Sequence, residues 1–86
     1  MKVSWKQAAI REKNKKAMWT LEGVGFPVSV VEYADGKFEM SCEGFSSIGG
    51  IVGLKAAQAL AGSYAKQRVV ARSQEVLDAI SALIGV

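Results

Sequence analysis

The sequence predicts an α+β fold: an N-terminal helix, a three-stranded antiparallel meander, then one or two C-terminal helices packed on the sheet (α-β-β-β-α-α). Three observations carry that expectation. Val28–Tyr33 and Phe38–Glu43 are rich in strand formers and flank Ala34-Asp35-Gly36-Lys37. Asp-Gly is a strong hairpin signal because both central residues of a type I′ turn need φ > 0. After Gly44 the apolar period changes from 2 to 3.6. Finally, Ser4-Trp5-Lys6-Gln7 fits the Ser-x-x-Gln box of a helix start, with Val3 and Ala8 placed as a hydrophobic staple.

Taken in order, a helix is expected over about residues 5–16. Its apolar face is thin, because Glu12 and Lys16 fall in the same stripe as Trp5, Ala8 and Ala9. Ala17-Met18-Trp19-Thr20-Leu21-Glu22 reads as the first strand, and Gly23-Val24-Gly25 as a flexible connection. Pro27 cannot donate to a ladder and belongs at a strand start or an edge. With Asp35-Gly36 as a two-residue loop, Tyr33 falls opposite Phe38, Val31 opposite Met40 and Ser29 opposite Cys42. Tyr33, Val31, Phe38, Met40 and Cys42 then form the covered face, and Glu32, Glu39 and Glu43 lie on the other with Val28, Val30 and Ser41.

Ser46 or Ser47 can cap the next helix. At 100° per residue Gly50, Gly53, Leu54, Ala57, Leu60, Ala61 and Tyr64 share one side, opposite Lys55, Gln58 and Lys66. Gly62-Ser63 is a candidate kink. The last segment, about 68–84, sets Val69, Val70, Val76, Leu77, Ile80, Leu83 and Ile84 away from Arg72, Glu75 and Asp78. Both one bent helix and two helices satisfy this pattern.

Composition narrows the function classes. Eighty-six residues, half of them apolar, make one small domain (1–86) with a real core. There is no histidine, the commonest general base and metal ligand. One cysteine allows no internal disulfide, and no apolar stretch follows the basic start Met1-Lys2 as in a signal peptide, so a cytoplasmic protein is expected. No catalytic set, metal site or cofactor is read, and the expectation is a non-enzymatic protein. Ile48–Ala65 approaches membrane-spanning length, but Lys55 and Gln58 share a face and indicate an amphipath, so no membrane partner is expected.

The net charge of +3 hides a segregation. Residues 1–16 hold Lys2, Lys6, Arg11, Lys13, Lys15 and Lys16 against Glu12. Residues 17–45 hold Glu22, Glu32, Asp35, Glu39 and Glu43 against Lys37. Two surfaces follow. Glu32, Glu39 and Glu43 form an acidic sheet face for another protein, with Glu32 and Glu39 expected as cross-strand neighbours. Lys6, Arg11, Lys13, Lys15 and Lys16, with Trp5 and Trp19 nearby, form a basic helix for nucleic acid, with an aromatic available for stacking. Apolar surface left over by so small a domain, at Ile80, Leu83, Ile84 and Val86, is assigned to a homodimer interface. Cys42 is read as core. Ser46-Ser47-Ile48-Gly49-Gly50 lacks the Lys-Ser or Lys-Thr of a phosphate loop and is read as capping and close packing.

The expected α-β-β-β-α order over about residues 4–66 resembles that of double-stranded-RNA-binding domains, and Lys55-Ala56-Ala57-Gln58-Ala59-Leu60 is similar to their Ala-rich second helix. Where that family sets a lysine cluster at the helix start, this chain has Ser47-Ile48-Gly49-Gly50, so no residue role carries over. The leading functional expectation is therefore a small protein-binding module, such as a regulator or inhibitor of the sort phages and mobile elements encode. A nucleic-acid-binding protein using the basic helix is the alternative.

Overall fold

The computed structural model describes residues 3–10, 12–69 and 74–84. Its elements are β1 (Ser4–Ala9), β2 (Lys15–Glu22), β3 (Val28–Tyr33), β4 (Lys37–Cys42), β5 (Ile48–Val52), α1 (Leu54–Arg68) and α2 (Gln74–Ile84). The strands form one antiparallel meander in the order β1-β2-β3-β4-β5. Helix α1 packs on β3, β4 and β5, and α2 packs on α1. The class is mixed α+β, but the helix-first, three-stranded expectation is overturned: five strands precede two helices.

The described residues of the 5–16 segment are not helical. Ser4–Ala9 pairs with β2 in unbroken register from Ser4↔Glu22 to Ala9↔Ala17, and a turn over residues 12–14 joins them, with the Lys15 amide donating to the Glu12 carbonyl at 3.2 Å. The physical reason lies in the thin stripe. A lone helix of a dozen residues is marginal without an apolar face to dock. As strands, the same residues set Trp5 and Leu21 on one side of the sheet, where Leu21 is only 2% exposed. The resemblance to double-stranded-RNA-binding domains goes with the helix.

Residues 48–52, expected to open a helix, are β5. The helical reading counted Gly50 and Gly53 as small buried positions, yet both have positive φ (71° and 97°) and Ile51-Val52 are β-branched. Gly53 stands at the N-cap of α1, with no side-chain cap from Ser46 or Ser47.

The β3–β4 hairpin exists, but one residue out of the expected register. Val30 faces Met40, Val31 faces Glu39 and Glu32 faces Phe38. The loop is three residues, Ala34-Asp35-Gly36. Gly36 alone takes positive φ (85°), its amide donates to the Tyr33 carbonyl, and the Asp35 carboxylate accepts from the Lys37 amide at 2.9 Å. This is the type I turn plus left-handed glycine, in which Asp35 need not adopt φ > 0. The covered face is accordingly Val28, Val30, Phe38, Met40 and Cys42, and Val31 and Tyr33 turn outward.

The core lies between this face and the helices. Val30 and Met40 meet Ala57, Ala61 and Ala65 of α1, and Val76 and Ile80 of α2 close it. The alanine stripe keeps α1 close to the sheet. Arg68 at its C-terminal end pairs with Glu43 (3.2 Å) and lies over the Phe26 ring (5.7 Å to the centroid).

Candidate binding surface

The face of the sheet turned away from the helices is the surface on which most outward side chains converge, and the strand registers define it. One row across it reads Lys6, Thr20, Ser29 and Ser41, and the next reads Ala8, Met18, Val31 and Glu39. Lys15 lies opposite Tyr33 one row further, followed by Lys37 opposite Val52. Met18, Val31 and Tyr33 are half-buried by their neighbours although no element among the described residues covers them, whereas Val52 is 80% exposed. The face thus has a narrow apolar centre between a hydroxyl row and a charged row.

Two side-chain pairs hold this end of the face. Glu12 Oε2 lies 2.9 Å from Lys15 Nζ, and Tyr33 Oη donates to Glu39 Oε1 at 3.0 Å. Glu12, as hydrogen-bond acceptor first and as a charge second, raises the Lys15 pKa. Glu39, accepting from the neutral hydroxyl, raises that of Tyr33. Two β-bulges shape this end. One, at Lys16, lies between Lys15 and Ala17, and the other sets Gly49-Gly50 against Glu39. A Cβ on Gly49 would stand 3.7 Å from Glu39 Oε2, so the carboxylate lies over bare backbone.

The three glutamates do not share a face. Glu39 lies on the open side as its alternation with Phe38 and Met40 requires, but the register shift sets Glu32 opposite Phe38 at the end of the covered side. Glu43 lies in the turn after β4 and is engaged by Arg68. Glu32 and Glu39 are therefore not cross-strand neighbours. Of the basic residues, Lys6 projects from the open face, Lys13 is exposed in the β1–β2 turn, Lys16 is exposed at the bulge and Lys15 is paired with Glu12. Arg11 lies outside the described residues. Both tryptophans face the covered side, Trp19 with its ring centroid 6.0 Å from that of Phe38. Tyr33 is the aromatic on the open face. Its place was illegible from the sequence, because Asp35-Gly36 fits a two-residue loop as well as the three-residue loop observed.

Ile80 is fully buried and Ile84 packs on Gly62, which leaves Leu83 half-exposed; Val86 lies outside the described residues. Cys42 is 3% exposed, and burial pushes its thiol pKa up. Beside β1, a groove of about 340 Å³ is lined by Trp5, by Lys55, Gln58 and Ala59 of α1, and by Ala82, Leu83 and Ile84 of α2. Among the described residues no group of three His, Cys, Asp or Glu side chains could hold a metal ion, and no helix is long and apolar enough to cross a membrane. No protein-family model matches the chain, and no curated protein or solved structure is significantly similar to it.

Proposed function

We propose that the chain is a small non-enzymatic protein-binding module, and that its partner seats on the open face of the sheet. One observation carries this reading: the helices cover one face of a five-stranded sheet, and the other face keeps Met18, Val31 and Tyr33 in its middle, bordered by Lys6, Lys15, Lys37 and Glu39. An apolar centre with a polar rim is the anatomy of a protein-recognition patch. A module of this kind acts on its partner as a regulator or inhibitor, by occupying a surface.

The nucleic-acid alternative loses support from the placement of the aromatics. Stacking on bases needs exposed rings, but Trp5 and Trp19 pack toward the core, and the hydroxyl of Tyr33 is tied to Glu39. Lys15 is likewise neutralised by Glu12.

The test is affinity capture from lysate, with and without nuclease, comparing wild type with Met18→Glu/Val31→Lys. Those two positions are directly opposite, so the pair replaces the apolar centre by facing opposite charges that the sheet tolerates. A nuclease-resistant protein captured by wild type and lost by the variant is the expected result. Capture of nucleic acid by both would transfer the function to the basic turn and refute this reading.

A further inference from the structure

We infer that β1 is an acceptor edge for an extended segment of a partner protein in which apolar and acidic residues alternate. The inference rests on the reading of the chain as a protein-binding module and names a second surface and its recognition chemistry.

The sheet has two edges, and they differ. β5 has five residues, a bulge at Gly49-Gly50 and a Gly50 φ of 71°, so its outward ladder is broken. β1 has six consecutive residues in unbroken register with β2, no proline and no bulge, and among the described residues it pairs with β2 alone. Its second row of N–H and C=O groups is therefore a regular template for one more strand. Lys6, Gln7, Ala8 and Ala9 are all exposed along it.

Side chains on both faces specify what such a strand must carry. An added strand alternates its side chains between the two faces. Those on the covered side fall beside Trp5, which belongs both to β1 and to the groove formed with Ala59, Leu83 and Ile84. That groove is about 340 Å³ and has partly exposed Leu83 in its wall, at 38%. It is room for apolar side chains. Residues on the open side meet Lys6, so the complementary residues there are acidic, whereas Lys55 stands in the groove wall on the other side. In strand addition the main-chain ladder supplies affinity and such alternate pockets supply specificity. A second copy of this chain is the weaker occupant. Antiparallel pairing of two β1 strands centred on Lys6 or Gln7 sets one Lys6 opposite or diagonal to the other, and facing like charges are unfavourable.

The experiment uses an acetylated, amidated octapeptide of alternating Val and Glu as the probe, with alternating Val and Lys as control. Binding is followed by fluorescence anisotropy and by amide shifts in a heteronuclear spectrum of the full chain. The expected result is saturable binding of the Val–Glu peptide, with shifts concentrated at residues 4–9 and at the groove. Lys6→Glu and Leu83→Glu should each weaken it at least tenfold, and the Val–Lys control should bind at least tenfold more weakly. Lys6→Gln, which removes charge without reversing it, should lie between, and thermal melts of all variants report whether the fold persists. No binding, equal affinity for the control, or shifts confined to β5 or to Met18 and Val31 would overturn the inference. A lysate partner still lost in Met18→Glu/Val31→Lys would then leave the broader reading standing.

Discussion

Gly62 marks a close contact between the two helices. A Cβ placed there would lie 2.7 Å from Ile84 Cγ2 and 3.0 Å from its Cδ1, atoms of a β-branched side chain that cannot swing away cheaply. Alanine in a helix gains up to about 1 kcal/mol over glycine, but overpacking a core costs typically about 1–3 kcal/mol. Gly62→Ala should therefore destabilise the protein in a thermal or denaturant melt. In an Ile84→Ala background, where the obstructing atoms are gone, the same substitution should become stabilising. A change of sign between the two backgrounds identifies the contact; the same sign in both would refute it. A second residue-scale expectation concerns pH. The folded-state pKa values of Tyr33 and Lys15 both lie above their ordinary 10.0 and 10.5. For a raised pKa the native state holds its proton longer than the unfolded chain, so the contribution is complete below the ordinary value and lost as pH climbs through the folded one. Both contributions thus fade above about pH 10. Glu39→Ala removes the hydrogen-bond acceptor, and with it the charge, that holds the Tyr33 proton, and should move one tyrosine ionisation, read by ultraviolet absorbance, to lower pH.

At the scale of elements, the β3–β4 turn shows what was legible and what was not. Alternating strand formers around Asp35-Gly36 announced a hairpin, and Phe38, Met40 and Cys42 are buried as their pattern required. The loop length was not legible, since Asp-Gly serves both a two-residue turn and the three-residue turn found here. That single residue put Val28 and Val30 on the covered face in place of Val31 and Tyr33, and carried Glu32 away from Glu39. The observed turn makes its own prediction. Gly36 has φ of 85°, where an L side chain is strained by about 1–2 kcal/mol. Gly36→Ala should lower the melting midpoint accordingly and Gly36→Asn by less, because Asn tolerates left-handed backbone. Equal losses would indicate a different turn. The N-terminal strands and β5 were misread for a related reason. The local signals at Ser4-x-x-Gln7 and at the Gly50/Gly53 spacing are genuine helix signals, but they were outweighed by what each segment could bury. Trp5 and Leu21 reach the core from opposed strands, which no helix over residues 5–16 would allow. Cys42 and the α1 stripe of Ala57 and Ala61 were legible because burial and period agreed there.

For the molecule as a whole, the consequence of a two-layer fold is a gradient of stability across the sheet. Helix α1 lies over β3, β4 and β5, and the fully buried side chains Val30, Met40, Ala57, Ala61 and Ala65 cluster around β3, β4 and α1. β1 is held by its ladder to β2 and by Trp5 and Val3 at one end, while Lys6 to Ala9 remain exposed. Local opening follows buried contact, and edges with solvent-exposed hydrogen bonds open first. Native-state hydrogen exchange should therefore find the most protected amides in β3, β4 and the middle of α1, and markedly weaker protection in β1. The same measurement bears on function. An edge that opens easily is an edge to which a strand can be added without breaking the core, and pairing on its free side would slow exchange at residues 4–9 while leaving Val30 and Met40 unchanged. Uniform protection across all five strands would mean that β1 is locked as firmly as the centre, and strand addition would then have no such gradient to act on.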